Sequence, residues 1–167
     1  IDIKKLNNTD LKLISNELIL SNTGEAVVIN KDYTKGIVLR GYSEKEISKR
    51  EIIKQENFTG KSNNLMDYNI SISKELSYSL NVQIGDKIII MSPSGVGTII
   101  GNLPKQQTFI VSSIFDSGLA DFDQNIAFIN INSLENFFDL KKKDRNLEIY
   151  LRDPQNIEKM KIKIQSI

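Results

Sequence analysis

The apolar residues of this chain come in runs that are too short to cross a membrane and well suited to buried strands. The longest runs are four residues, as at positions 26–29 and 88–91, whereas a membrane-spanning helix needs about 20 consecutive apolar residues. Valine and isoleucine dominate both runs, and short runs of this kind bounded by polar residues are typical of strands inside a sheet. The sequence therefore predicts a strand-rich fold without a membrane span in these 167 residues.

Further strands are predicted where apolar residues are bounded by glycines or polar turns. They cover residues 36–41, 69–73, 108–115, 125–131 and 147–151. Between residues 93 and 104 a long connection joins two of the predicted strands. A β-α-β-β opening and a β-α finish around a β-rich middle favour two lobes, of which one is built from both ends of the chain.

Four helices are predicted from polar capping residues and from apolar residues at helical spacing, and Ile47, Ile52 and Ile53 indicate at most one further short helix. The first is capped at Asn8, Thr9 and Asp10 and aligns Leu11, Ile14, Leu18 and Ile19, and the second covers Lys74–Leu80 and aligns Leu76 with Leu80. The third is capped at Ser133 and aligns Leu134, Phe137, Phe138 and Leu140. The fourth begins at Asp153 and Pro154 and aligns Ile157, Met160 and Ile164.

Charge and residue content narrow the possible functions. The 22 Lys and Arg residues are balanced by 21 Asp and Glu residues, and the net charge of +1 gives no strong attraction to nucleic acid. Because the chain has no Cys and no His, it lacks thiolate chemistry, zinc-thiolate sites and the commonest general base. A P-loop would need glycine at position 55, which is Gln55. We therefore expect no enzymatic activity, no cofactor and no metal.

Three aspartates raise the possibility of a cation site. They are Asp116, Asp121 and Asp123, but an EF-hand loop starting at Asp121 would need glycine at position 126 and glutamate at position 132. The chain has Ile126 and Asn132 there. The pattern favours carboxylates that cap turns between strands, and it leaves the role of these residues open.

The segment from residue 93 to residue 104 is the most unusual part of the sequence. It contains no charged residue and three glycines, and it is longer than the roughly two to five residues of ordinary hairpin loops. Its larger apolar residues are Val96, Ile99, Ile100 and Leu103. Two interpretations stay open: an exposed apolar tip that binds a partner, or a long hairpin that folds back onto its own sheet.

Motifs spread over nearly the whole chain resemble the periplasmic domains of MacB-like permeases. They are residues 36–41, 72–88, 92–94, 101–104, 109–111, 114–118, 122–123 and 133–138. Together they are similar to the periplasmic domain of a lipoprotein-releasing ABC transporter permease of the LolC/LolE type. The turn at Gly85 and Asp86 is common to many such permeases, and the segment between Pro93 and Pro104 narrows the resemblance to the lipoprotein group.

The resemblance implies an α+β fold with two lobes. A discontinuous, porter-like α/β lobe would comprise residues 1–35 and 146–167. A β-rich, sabre-like lobe would be inserted at residues 36–145 and would carry a hook hairpin at residues 93–104.

The resemblance also implies a non-catalytic function. The parent would be an inner-membrane protein of a Gram-negative bacterium, with this domain in the periplasm. It would extract lipoproteins from the inner membrane and pass them to the periplasmic chaperone LolA, together with a separate ATPase subunit and a second permease copy.

The hook would enter the chaperone through an apolar tip at Ile99 and Ile100, with a supporting pad at Gln106 and Gln107. The implied partner-binding residues are Pro93, Val96, Ile99, Ile100, Gly101, Leu103, Pro104, Gln106 and Gln107. Two features depart from the family pattern: the loop is about one residue shorter than in some members, and Gln107 stands where a cation is common. Both departures bear on the strength of chaperone binding.

Two alternatives remain. The same fold occurs in MacB-type efflux permeases and in cell-division permeases, where the hairpin would have no chaperone to meet. A secreted hydrolase that uses only carboxylates would require two acidic residues, drawn from Asp116, Asp121, Asp123 and the glutamates, to converge in one pocket.

Overall fold

A computed structural model describes residues 15–47, 58–60, 65–98, 101–153, 155, 157–158 and 161–162. Its elements, in chain order, are β1 (Ser15–Asn30), β2 (Tyr33–Tyr42), α1 (Glu44–Ile47), β3 (Thr59–Gly60), β4 (Asn69–Ser73), α2 (Lys74–Leu80), β5 (Lys87–Thr98), β6 (Gly101–Phe115), α3 (Ala120–Asp123), β7 (Ile126–Asn130), α4 (Ile131–Phe138), a 3-10 turn (Lys142–Asp144) and β8 (Asn146–Leu151). The protein therefore mixes helices with strands and is strand-rich.

The chain divides into two compact units. One unit is Asn22–Leu140, and the other combines Ile1–Ser21 with Lys141–Ile167. The divisions fall at 21/22 and 140/141, whereas the lobe boundaries expected from the sequence are 35/36 and 145/146. The description of these units as sabre-like and porter-like lobes stays a prediction.

In the Asn22–Leu140 unit the strand pairings form a closed ring. Going around it, β2 pairs with β7, β7 with β4, β4 with β6, β6 with β5, β5 with β1, and β1 again with β2. The β2–β7 and β4–β6 pairs are parallel and the other pairs in the ring are antiparallel. A sheet closed on itself has few free edges, which limits unwanted strand pairing.

The core of this unit is made by alternate residues of the ring strands and by one face of each longer helix. Its members include Val28, Leu39, Ile70, Ile72, Ile88, Ile90, Phe109, Val111 and Ile129 from the strands, with Leu76, Leu80, Leu134 and Phe137 from α2 and α4. Full burial of such a side chain contributes roughly 1.5–3 kcal/mol. The predicted apolar faces are therefore confirmed at Leu76, Leu80, Leu134 and Phe137, and Phe138 packs against the core from the end of α4. The prediction that Leu140 belongs to this helix is wrong, because α4 ends at Phe138.

The caps of the two longer helices are local. Ser73 begins α2, and its hydroxyl oxygen accepts a hydrogen bond of 3.1 Å from the Leu76 N–H. The prediction that Ser133 caps α4 is wrong, because the helix begins at Ile131 and the Asn130 carboxamide oxygen accepts from the Asn132 N–H at 2.9 Å. The hydroxyl of Ser133 instead donates to a carboxylate oxygen of Asp67 at 3.3 Å.

In the Ile1–Ser21 and Lys141–Ile167 unit, the first part of β1 pairs antiparallel with β8, for example Leu18 with Ile149. The prediction that Leu18 and Ile19 belong to a helix is therefore wrong; they belong to β1, and Ile19 is fully buried. A short apolar run fits either period, and here the ladder to β8 decides for the strand. The other predicted members of that helix, residues 8–11 and 14, lie outside the described residues.

The predicted helix at the end of the chain is only partly described. Residues 157–158 and 161–162 are helical, as predicted, and Ile157 and Ile162 are exposed. Pro154, Met160 and Ile164 lie outside the described residues. Within the described part of the chain, no helix is both long enough and apolar enough to span a membrane.

Candidate partner-binding site

Strands β5 and β6 continue past the ring as a two-stranded hairpin. Inside the ring they pair from Lys87 opposite Ile110 to Ser92 opposite Lys105. Among the described residues, β1 pairs with β5 no further than Met91, and β4 pairs with β6 only from Ile110 onward. Beyond the rung formed by Ser92 and Lys105, the two strands therefore pair only with each other in the described part of the chain.

The ladder of this hairpin is interrupted just beyond that rung. Pairing resumes with Val96 opposite Leu103, so residues 93–95 on β5 face Pro104 alone on β6. Neither Pro93 nor Pro104 has an N–H to donate to a ladder, and Gly95 has a left-handed φ of 52°. The outer hairpin, whose described residues are 96–98 and 101–103, is thus joined to the ring through a bulge, and bulges bend the strands that contain them.

The predicted partner-binding residues share this hairpin, but the structure describes only some of them. Pro93, Gly101, Leu103, Pro104 and Gln106 are exposed, and Leu103 keeps 51% of its surface in solvent. The backbone of Val96 pairs with Leu103. The predicted tip residues Ile99 and Ile100 lie outside the described residues.

The predicted pad residues Gln106 and Gln107 are neighbours on β6, so their side chains point to opposite faces of the strand. The Gln106 carboxamide nitrogen lies 3.8 Å from the Met91 sulfur, and the Gln107 carboxamide donates to the Thr108 carbonyl oxygen at 3.2 Å. Gln106 is exposed and Gln107 is half-buried. Of the two glutamines, Gln106 therefore lies on the solvent-exposed face of β6, together with Thr108.

A residue that no sequence motif singles out, Lys105, fastens the base of the hairpin to α4. Its ammonium donates to the Asn136 carbonyl oxygen at 2.8 Å and to the Asp139 carboxylate at 3.1 Å. These partners lie 31 and 34 positions further along the chain. No local sequence pattern signals a contact across that separation.

A cavity of about 180 Å³ lies beside the base of the hairpin. Lys105, Gln106, Asn136 and the turn at Asp67 and Tyr68 contribute to its walls, and the buried rings of Phe109 and Phe137 also line it. The hairpin base is therefore not packed tightly against α4 along its whole length, and the Lys105 side chain is a polar connection across this space.

Two of the three aspartates considered for a cation site are engaged in a turn. Both carboxylate oxygens of the buried Asp123 accept from Ser117, one from its N–H at 3.0 Å and one from its hydroxyl at 2.7 Å. Asp116 accepts from the Gly118 N–H at 3.0 Å and pairs with Lys74 at 3.5 Å. In the described ranges no three acidic side chains are grouped to hold a metal ion. These contacts support the turn-capping interpretation.

Comparisons of sequence give curated relatives but no matching family model. The chain is 26% identical over 145 residues to "Lipoprotein-releasing system transmembrane protein LolC" of Neisseria meningitidis serogroup B. The aligned region covers 86% of this chain and 33% of that protein. It is 28% identical over 100 residues to LolC of Xylella fastidiosa strain Temecula1, covering 59% of this chain and 24% of the relative. The chain thus spans a third or less of the length of these relatives.

Comparison of structures gives a similar fold in the extracellular domain of the noncanonic ABC-type transporter YknZ from Gram-positive bacteria. The TM-score is 0.59 at 15% sequence identity, with 95% of this chain and 75% of that chain covered. The predicted resemblance to LolC-type permease domains is therefore confirmed in sequence, and the fold resembles that of an ABC-transporter extracellular domain.

Proposed function

We propose that this chain is the periplasmic domain of an inner-membrane ABC transporter permease that releases lipoproteins in a Gram-negative bacterium, and that its β5–β6 hairpin docks a periplasmic chaperone of the LolA type. The observation that carries the proposal is the hairpin itself. It continues beyond the ring, has no charged residue between Pro93 and Pro104, and exposes Leu103. The similarity to LolC over 86% of the chain supports the same function.

An uncharged hairpin suits a reversible partner that carries lipid. The apolar residues of the hairpin can enter an apolar cavity without the desolvation penalty of a charge. A few hundred Å² of apolar contact contributes at roughly 25 cal/mol per Å², and the loss of translational and rotational freedom offsets much of that gain. The result is modest affinity, which a transfer step needs because the chaperone must leave with its cargo.

The rest of the proposed assignment concerns the parent transporter. Lipoproteins are the substrate, ATP hydrolysis belongs to a separate subunit, and a second permease copy completes the membrane part. This domain contributes no catalytic group and binds no cofactor. The Asn22–Leu140 unit corresponds to the sabre-like lobe and the unit from both termini to the porter-like lobe.

A second candidate function is a MacB-type efflux or cell-division permease with the same fold. The observation behind it is the fold, which is similar to that of the extracellular domain of YknZ, an ABC-type transporter from Gram-positive bacteria. In such a permease the hairpin would have no lipoprotein chaperone as partner. The genes next to this one and the number of membrane spans in the full protein distinguish the two candidates.

The deciding experiment is a calorimetric titration of this chain with the lipoprotein chaperone of the same organism. We expect saturable one-to-one binding that is lost in Ile100→Asp and in Leu103→Asp, because a carboxylate at the tip would have to be desolvated. Leu119→Asp is the matched control, since Leu119 is 65% exposed and lies outside the hairpin. No binding at high micromolar concentration, or equal binding by all variants, would contradict the docking proposal.

A further inference from the structure

Several interactions at once hold the Lys105 ammonium at the C-terminal end of helix α4. The ammonium donates to two acceptors, the Asn136 carbonyl oxygen at 2.8 Å and the Asp139 carboxylate at 3.1 Å. Asn136 lies in the last turn of α4, and Asp139 ends the helix in a left-handed conformation with φ of 56°. A cation at a helix C-terminus also interacts favourably with the helix dipole, so both local geometry and charge hold the ammonium there.

Lys105 lies at the point on β6 where the ladder of the ring ends, so its contact with α4 bears on the orientation of the outer hairpin. Lys105 pairs with Ser92 in the last rung before the bulge, and the next rung joins Val96 and Leu103. No regular ladder spans residues 93–95 and Pro104. Because the ladder does not transmit the orientation of the ring to the outer hairpin, that orientation depends on how firmly the last rung is held.

The surroundings of the last rung leave room for movement. The cavity of about 180 Å³ between the hairpin base and α4 means that side-chain packing alone does not hold β6 against the helix at this level. The Lys105 side chain is 31% exposed, contacts the end of α4 and helps to line this space. Loss of its ammonium would remove both hydrogen bonds to the end of α4 and leave the cavity free to close or widen.

We propose that Lys105 is a positioning residue, which holds the base of the hairpin against α4 and thereby sets the direction in which the outer hairpin meets the partner. For the identity of that partner the inference rests on the proposed function. A hairpin held in one direction before binding loses less conformational freedom on binding, so its affinity is higher. Lys105 acts through the hairpin and is not required to touch the chaperone.

The test compares three lysine variants of the chain. Lys105→Met keeps most of the aliphatic stem and removes the charge, and Lys105→Arg keeps the charge. Lys74→Met is the matched control, because it breaks the 3.5 Å ion pair with Asp116 in the same unit. For each variant we would measure chaperone affinity by calorimetry, the midpoint of thermal unfolding, and the backbone amide relaxation of Gly95, Gly97 and Gly101.

We expect Lys105→Met to weaken binding about tenfold through loss of pre-organisation, to increase motion at the three glycine amides, and to leave the unfolding midpoint within a few degrees of wild type. Lys105→Arg should retain most of the affinity, and Lys74→Met should change neither affinity nor relaxation. Should Lys105→Met fail to fold, Asp139→Asn removes one charged acceptor at a position that is 79% exposed and where asparagine tolerates positive φ. It should produce the same changes to a smaller degree.

Unchanged relaxation and unchanged affinity in Lys105→Met would overturn the inference. If the wild-type chain does not bind the chaperone at all, the proposed function fails, and the relaxation data still decide whether Lys105 orders the hairpin. A loss of affinity without any change in relaxation would also count against positioning, because it would mean that the ammonium contacts the partner directly.

Discussion

The ring of Phe138 covers Gly24 so closely that any Cβ at position 24 would overlap it. Gly24 lies on β1 opposite Leu39 of β2, and Phe138 is the last residue of α4. At the other end of the helix, a Cβ on Gly41 would lie 3.0 Å from the Ile131 Cα. Two glycines on neighbouring strands thus allow both ends of α4 to lie against the ring. The helix to which Lys105 is fastened is therefore positioned by the absence of side chains beneath it.

Gly24→Ala is expected to destabilise the protein by about 1–3 kcal/mol, because overpacking forces the Phe138 ring out of its position. Chemical denaturation followed by circular dichroism gives the free energy of unfolding. Gly36→Ala, also on the β1–β2 hairpin, is the matched control, since a Cβ there meets no atom within 4 Å. Equal losses of stability in the two variants would contradict the role assigned to Phe138.

Asp123→Ala is expected to lower the free energy of unfolding by about 1–3 kcal/mol, because it leaves the Ser117 N–H and hydroxyl without their acceptor. Urea denaturation monitors the effect. Asp121→Ala changes an exposed carboxylate of the same short helix and should stay within about 0.5 kcal/mol of wild type. If the two aspartates instead bound a cation, added Ca²⁺ would raise the unfolding midpoint of the wild-type chain, and we expect no such rise.

Ser73→Ala is expected to cost about 1–3 kcal/mol of stability. The hydroxyl of Ser73 accepts from the Leu76 N–H and also donates to the Asp123 carbonyl oxygen, so one buried group serves both a helix cap and a link to α3. Ser79→Ala is the control, because Ser79 is an exposed residue of α2 whose hydroxyl donates to the Leu76 carbonyl oxygen within the helix. Thermal unfolding of both variants tests the difference, and similar midpoints would argue against the cap.

Deletion of Ser94 together with Gly95 is expected to weaken chaperone binding by tenfold or more while the ring stays folded. The deletion would set Pro93 directly opposite Pro104 and so remove the bulge, and loss of a bulge straightens the strand and changes its direction. Ser94→Ala keeps all three bulge residues and should bind as the wild type does. Calorimetry and circular dichroism measure the two effects, and full affinity in the deletion variant would exclude a role for the bulge in presenting the hairpin.

Local sequence signals predicted the elements that depend on local contacts. The bounds of β4 and α2, Asn69–Ser73 and Lys74–Leu80, are as predicted, because a capping serine stands between a β-prone run and residues at helical spacing. Leu18 and Ile19 fit both periods, and their place in β1 depends on pairing with β8 more than a hundred residues further along the chain. Closure of the ring through β1 and β2 likewise depends on strand pairings that the sequence of a single segment does not predict.

The sequence predicted only part of the candidate site, because the rest of the site depends on contacts between residues that are distant along the chain. The uncharged stretch between Pro93 and Pro104 stands out by composition alone. The bulge depends on which residues face each other across the hairpin, and the Lys105 contact depends on where α4 is packed. One lysine among 22 basic residues carries no distinguishing pattern.

The bulge also separates the registers of the two parts of the β5–β6 hairpin. A slip of one residue in a continuous ladder would turn the buried Ile88 and Phe109 toward solvent. At the bulge, three residues of β5 already face one residue of β6. A register shift caused by an insertion or deletion nearer the tip can therefore be absorbed at the bulge without changing the register inside the ring. A change in the length of the outer hairpin can therefore alter what it presents to a partner while the side chains of the ring keep their buried and exposed faces.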